Sequence, residues 1–472
     1  MSEHSADFDA LMRTLLGERG WLTEPADVAS HGRDWLKRFG ATPLGVARPA
    51  TTEEVAEVVK ACAAHGVSIS PQGGNTGLAG ASVLSAGETG IILSLSRMNR
   101  IVTIDPVDFT ATVEAGVVLE ALHARLADQQ LMFPLHLGAQ GSAQIGGLIG
   151  TNAGGSHAMR YGMMQDLVLG LEVVLPDGSV LDGARALIKD NAGYQLRRLF
   201  CGAEGTLGIV TRAVLRLYPA PVARSTALLA LENLDAALQV GAFLRSRAGE
   251  FLTAMEFFNE LGLGLACKHV AGLVPPLETR GPVYLLVELS TSIPKIELDA
   301  IVEDALAACF EAGTVLDGAI AANEAQRTAF WRLREEMPEG QRLEGPQIKH
   351  DVAAPVSRLA EFVAAASAAA DAVLPGIRVN PFGHLGDGNV HFNLTPPEGA
   401  ADFQGREDAL SEAIYNAVIA HDGTISAEHG IGQAKVALAD GYRPAAEREL
   451  MRQIKRAVDP RQLFNPGKIV RW

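Results

Sequence analysis

Three glycine clusters, each beside a strand-like run, constrain the fold of this chain more than any other feature. They are "PQGGNTGLAGASV" (residues 71–83), "GAQGSAQIGGLIGTNAGGSHAMRYG" (138–162) and "CGAEGTLGIVT" (201–211). Glycine permits positive φ and lets a ligand approach the backbone closely. Successive backbone N–H groups in such turns make a concave anion site suited to phosphate or pyrophosphate. Tight turns alone would explain any one cluster, but three of them beside strands point to a nucleotide cofactor. Two familiar solutions are excluded. No G-x-G-x-x-G opens a helix with an acid about 20 residues later, and no G-x-x-x-x-G-K-[ST] occurs. Some other dinucleotide fold is required.

At 472 residues the chain is too long for one ordinary core, so two or three domains are expected. "TTEEVAEVVKACAAHGV" reads as a helix opened by a Thr51/Glu54 capping box, with Val55, Val58, Val59 and Cys62 at helical spacing. "VSIS", "GIILSL", "RIVTID" and "TATVEAG" read as strands, followed by a helix around "LEALHARLADQQ". "LVLGLEVVLPDGSVLDG" reads as two strands joined at Asp177-Gly178. After about residue 225 the glycine-rich character fades into runs that resemble βα units. The closing "VDPRQLFNPGKIV" looks like a compact return to the body.

The net charge of −15, without a Lys/Arg-rich run, excludes nucleic acid as a natural partner. Cys62, Cys201, Cys267 and Cys309 are scattered with no C-x-x-C pair, which argues against a disulfide framework or a thiolate metal site. The polar N-terminal stretch shows no secretory h-region, and no apolar run reaches 18 residues. A cytoplasmic location is expected, with peripheral attachment to a membrane as the alternative.

"NPFGHLGDGNVHFNL" (380–394) holds His384 and His391 seven residues apart. On one straight strand they would face opposite sides. A two-residue turn at Asp387-Gly388 would instead place them directly opposite on one face, with Cβ atoms about 4.5–5.5 Å apart. Asn393 should share that face. Two imidazoles so placed can share a metal ion, although two ordinary sheet histidines fit the same pattern. "SAEHGIG" (426–432) adds Glu428 and His429 in a glycine-flanked turn.

Together these three loops resemble the flavin-binding half of the vanillyl-alcohol oxidase superfamily. From about residue 40 onward the chain is similar to the FAD-linked D-2-hydroxyacid dehydrogenases, which act on acids such as D-lactate and D-2-hydroxyglutarate. The resemblance implies an α+β protein. A helical segment (1–40) would precede a two-subdomain α/β FAD-binding module (41–222). An α/β substrate or cap domain with the metal site (223–445) and a returning C-terminal segment (446–472) would follow. FAD would be non-covalent, because "PQGGNTGL" lacks the histidine through which some relatives attach it. Its pyrophosphate would lie on Gln72, Gly73, Gly74, Asn75, Thr76, Gly77 and Leu78. Gly141, Ser142, Ile145, Gly146, Gly147, Asn152, Gly154 and Gly155 would continue the cradle, with Glu204, Gly205, Gly208, Ile209, Val210 and Asn465 completing it.

The resemblance also implies that Glu428 joins His384 and His391 as a metal ligand and that His429 is the catalytic base. Two imidazoles and a carboxylate suit zinc first, and also manganese, iron or cobalt. Arg334, Lys349, Asn393 and His429 would bind the substrate acid, whose hydride would pass to flavin N5. Relatives that oxidise 2-hydroxyglutarate tend to carry Thr or Ser four positions after the arginine, where this chain has Pro338. That departure puts a D-lactate-like acid first and D-2-hydroxyglutarate next. The electron acceptor could be a quinone, a cytochrome or an electron-transfer flavoprotein, and a homodimer is a family expectation. Two rival readings use the same residues: a metallohydrolase whose glycine loops merely turn, and a flavin-binding protein without its own chemistry.

Overall fold

The computed structural model describes residues 3–471. The chain forms two compact units. Unit 1 takes the chain up to Gly155, then Tyr161–Ala220, and everything from Glu428 onward. Unit 2 comprises Ser156–Arg160 and Pro221–Ala427. The chain thus re-enters unit 1 at Glu428, eighteen residues earlier than the boundary at 445/446 suggested by sequence. The N-terminal helix Glu3–Gly20 contributes Phe8 and Met12 to the unit 1 core.

Unit 1 holds two principal sheets. In the first, β1 (Trp21–Leu22), β2 (Val46–Ala47), β3 (Ser68–Gln72) and β4 (Gly90–Ser94) lie in the order β1-β2-β4-β3. The β2-β4 and β4-β3 pairs are parallel. The second is antiparallel, with β5 (Ile101–Asp105), β6 (Thr110–Glu114), β8 (Val168–Val174), β9 (Val180–Gly183) and β10 (Ile209–Arg216) in the order β5-β6-β10-β8-β9. Two short strands, β7 (Leu131–Met132) and β11 (Tyr218–Pro219), pair separately. The C-terminal segment closes on β3: Ile69 donates its N–H to Leu463 O and Asn465 donates to Ile69 O.

Local chemistry accounts for the boundaries. The helix Thr52–His65 starts where Thr51 Oγ1 accepts the Glu54 N–H at 3.2 Å, and ends at Gly66 in the left-handed region. The Glu54 carboxylate reaches the Ala50 N–H rather than that of Thr51, so the expected reciprocal box is displaced by one residue. The β8-β9 connection is also one residue longer than a two-residue turn. Leu175 and Ser179 are joined by a hydrogen bond across Pro176-Asp177-Gly178, and Gly178 takes the positive φ such a loop requires.

Unit 2 is built on a seven-stranded sheet: β12 (Ala223–Leu231), β13 (Leu252–Asn259), β14 (Val283–Thr291), β15 (Asp317–Ile320), β16 (Ile348–Ala353), β17 (Arg378–His384) and β18 (Asn389–Thr395). The order is β15-β12-β14-β13-β17-β18-β16, and every pairing is antiparallel. The alternation of strands and helices suggests βα crossovers, but the helices instead cover the two faces of an antiparallel sheet. One face packs with Leu244, Leu306, Phe362 and Ile414 in a large apolar core. The other carries a smaller core of Phe258, Leu263, Phe330, Leu333 and Phe382 under three helices, Glu260–His269, Glu324–Glu335 and Met337–Glu344. His350 points to the first face, where its ring bonds Phe392 O and Ser411 Oγ. Of the residues expected to meet substrate, Arg334, Lys349 and Asn393 lie on the second, whereas His429 belongs to unit 1.

Candidate active site

In unit 1 the three glycine clusters meet around a cleft. Of the residues expected to cradle FAD, Gln72, Gly73, Gly146, Gly147, Glu204, Gly205, Gly208, Ile209 and Val210 line it. Pro71, Ala81, Ser82, Leu95, Ala115, Gly150, Thr151 and Phe200 also line it and carry no sequence signal beyond their neighbourhood. Gly74, Asn75, Thr76, Gly77, Leu78, Gly141, Ser142, Ile145, Asn152, Gly154, Gly155 and Asn465 are not part of the lining.

Several of those serve the scaffold. Ile145 is a fully buried core side chain of the helix Ile145–Thr151. Gly74 permits a close approach, since a Cβ there would stand 1.9 Å from Ser142 O. Gly155 does the same against His136 O, at 2.1 Å. Asn75, Asn152, Glu204 and Asn465 all hold positive φ without being glycine. Such strain in non-glycine residues concentrates at functional sites. The Gln72 side chain is consumed inside unit 1, bonding the His31 ring at 2.5 Å and Ser82 O at 3.0 Å.

A local cation sits behind the first loop. The buried Lys468 ammonium donates to Ser70 Oγ, Ala81 O, Val83 O and Asn465 Oδ1 at 2.6–3.0 Å. Burial pulls its pKa down to about 7, opposed by Glu88 and Glu204. The Glu204 carboxyl is pushed up to about 7 by burial, opposed by two amide donors and by Lys468 and Lys435. Those amides belong to Ile431 and Gly432, at 2.7 and 2.8 Å. Glu428 Oε1 lies beside Gly154, 2.9 Å from where a Cβ would stand.

In unit 2, β17 and β18 carry the two histidines, but not in the expected register. His384 pairs with Asn389 and His391 pairs with Phe382. The turn is therefore four residues, Leu385 to Gly388, rather than two. The cause is that β13 extends its pairing past His384: Leu385 N–H donates to Met255 O at 2.8 Å, and its side chain is buried. A slip of two residues preserves the face, whereas a slip of one would have reversed it. His384 and His391 are thus diagonal neighbours on one face, with ring centroids 5.9 Å apart and planes at 76°.

Glu256, absent from the sequence reading, organises this face. It pairs with His384 across β13-β17 and is almost fully buried. Its Oε1 lies 2.6 Å from His384 Nδ1, and its Oε2 accepts Arg334 Nε–H at 2.9 Å. Arg334 also stands over the Phe382 ring, 4.8 Å from its centroid. A lone acid inside the apolar strand "LTAMEFFN" was the available signal. Asp351, opposite His391 on β16, accepts the Asn389 amide at 3.0 Å and stands 3.9 Å from His391 Nδ1. Asn393 donates to buried Gln341 at 2.9 Å, and exposed Lys349 pairs with it on the edge strand β16. The buried Asn389 Oδ1 has no hydrogen-bond partner, an acceptor of the kind a ligand or water satisfies.

This face fits a divalent cation by the chemistry of its donors. A histidine that gives Nδ1–H to a carboxylate carries its lone pair on Nε2, the arrangement found around metal-binding imidazoles.

The family described as "FAD binding domain" matches residues 43–183, and that described as "FAD linked oxidases, C-terminal domain" matches 220–469. A Xanthomonas citri pv. viticola protein named D-2-hydroxyglutarate dehydrogenase is 40% identical over 95% of this chain and 93% of its own. The chain belongs to the FAD-linked D-2-hydroxyacid dehydrogenases. The mitochondrial D-2-hydroxyglutarate dehydrogenase of Bos taurus is 36% identical, over 98% of this chain and 83% of its own. Among solved structures, a p-cresol methylhydroxylase with substrate bound superposes with a TM-score of 0.76 over 99% of this chain and 97% of that one. At 19% identity that likeness establishes a fold of the vanillyl-alcohol oxidase type. The glycine-lined cleft lies in unit 1, and His384 and His391 lie in unit 2. No helix among the described residues is long and apolar enough to cross a membrane.

Proposed function

We propose that this chain oxidises a D-2-hydroxy acid to the 2-oxo acid, with D-2-hydroxyglutarate the first candidate and a D-lactate-like acid the second. The order reverses the one drawn from Pro338. The names of relatives at 40% and 36% identity outweigh a single missing hydroxyl. The observation that carries the reading is Glu256, which holds His384 and Arg334 together on one sheet face. A two-imidazole site and a carboxylate-binding guanidinium are then fixed relative to each other, as a small hydroxy acid requires.

Arg334 spends Nε on Glu256 and keeps its two terminal amino groups for the substrate carboxylate. Lys349 adds a point charge, and Gln341 fixes the Asn393 amide for orientation. Bound FAD supplies a two-electron acceptor for the C2 hydride. A divalent cation, zinc first and manganese, iron or cobalt after it, supplies Lewis-acid polarisation of the hydroxyl. In this reading His384, through Nε2, and His391 hold that cation with Glu428, which follows Ala427 of unit 2 directly in the chain. His429 accepts the hydroxyl proton.

The roles separate by mutation. His384→Ala should keep its yellow FAD, lose tightly bound metal and lose most turnover. A metal-free variant with full activity overturns the metal role. His429→Asn should lower kcat by about 10²–10⁴-fold, and an unchanged kcat removes it from the proton transfer.

A further inference from the structure

We infer that Glu204 is a positioning residue, which anchors the loop carrying His429 to the wall of the nucleotide cleft. The inference rests on the reading of His429 as proton acceptor. Glu204 lines the cleft, but both its carboxylate oxygens are engaged by protein donors instead of being left for FAD. Oε1 accepts the Ile431 N–H at 2.7 Å and Oε2 accepts the Gly432 N–H at 2.8 Å. Ile431 is two residues past His429, so the carboxylate grips the peptides that determine where the imidazole stands.

The loop is shaped around this acid. Gly430 has φ 75°, and a Cβ there would stand 2.6 Å from Glu204 Oε1. Gly432 has φ 50°, and a Cβ there would stand 2.1 Å from Ala79 O. The glycines of "EHGIG" are therefore demanded by Glu204 and by the first glycine cluster. Glu204 is itself held from behind. Its N–H donates to Gly150 O at 2.7 Å, and its carbonyl accepts the Asn465 amide at 2.7 Å. The Gln433 amide extends the attachment to Gly80 O and Val83 O at 2.7 and 2.9 Å. A buried carboxylate bonded to two consecutive amides is a rigid joint, and a catalytic group displaced by 1 Å can lose about 10²-fold in rate.

Glutamine at 204 keeps one acceptor but turns an NH₂ toward the other amide. In holoenzyme, Glu204→Gln should retain stoichiometric FAD and an unchanged KM for D-2-hydroxyglutarate, while kcat falls by about 10²-fold. Hydrogen exchange of the Ile431 and Gly432 amides should accelerate in parallel. Gly430→Ala, which drives a methyl against Glu204, should give the same split between kcat and KM from the loop side. Loss of FAD with an unchanged kcat per bound flavin would show that Glu204 is a cofactor contact and overturn the inference. So would unaltered exchange at residues 431 and 432. His429→Asn, with Glu204 intact, tests the proton-acceptor reading separately, and its failure would leave the exchange result standing.

Discussion

Replacing Glu256 by glutamine changes one atom in a site with no room to adjust. The wild-type carboxylate is about 1% exposed and divides its two oxygens between His384 Nδ1 at 2.6 Å and Arg334 Nε at 2.9 Å. A glutamine amide can accept from only one of them and must present N–H to the other. If the oxygen stays with His384, Arg334 faces a donor; if it turns to Arg334, the imidazole does. One charge-assisted hydrogen bond is lost either way, about 1.5–3 kcal/mol, or roughly 10- to 150-fold. Carboxylate partners of metal-binding imidazoles show losses of about 10–100-fold when altered. The assay has two arms on FAD-replete protein: chelator competition for metal affinity, and KM for D-2-hydroxyglutarate. Glu256→Gln should weaken one or both by at least tenfold while thermal unfolding remains cooperative. Metal affinity and KM both within twofold of wild type would refute the argument that this acid joins the two halves of the site.

Three further outcomes follow from other parts of the molecule. Gly74→Ala forces a Cβ to within 1.9 Å of Ser142 O and should release FAD or destabilise unit 1 by about 1–3 kcal/mol, whereas Gly77→Ala, with nothing within 4 Å, should behave as wild type; flavin content and Tm decide. Bonds from Arg378, His269 and Lys268 hold the Glu344 carboxyl down to about 2. Because its folded pKa is depressed, its stabilisation is fully present above about 4.5 and is lost as pH falls towards 2, so Glu344→Gln should flatten the acid limb of a Tm–pH curve. Introducing threonine at Pro338 should lower KM for D-2-hydroxyglutarate relative to D-lactate if the missing hydroxyl governs that choice; an unchanged ratio removes Pro338 from substrate selection.

Local patterns were legible in proportion to how little they depended on distant contacts. Thr51 opens its helix and the glycine clusters line one cleft, because capping and positive φ are written in short stretches. The shared face of His384 and His391 was readable because parity survives a two-residue slip, while the register itself was not. It depends on Met255, more than a hundred residues away, accepting a bond from Leu385. Glu256 and Gln341 were missed for the same reason: each acts on a partner far along the chain. Gly74 and Ile145 stand beside a binding motif, and what their own contacts show is packing: a Cβ at Gly74 would meet Ser142 O, and Ile145 is a buried core side chain. The re-entry at Glu428 was obscured because the "SAEHGIG" stretch is continuous in sequence across it.

The most direct measurement is an anaerobic titration of the purified flavoprotein with D-2-hydroxyglutarate, followed in the visible spectrum, with D-lactate and the L-enantiomers alongside. Bleaching of the oxidised flavin band by a D-2-hydroxy acid, with the corresponding 2-oxo acid formed in equal amount, is the predicted result. A flavin that no D-2-hydroxy acid bleaches, in protein replete with FAD and divalent metal, would contradict the proposed reaction.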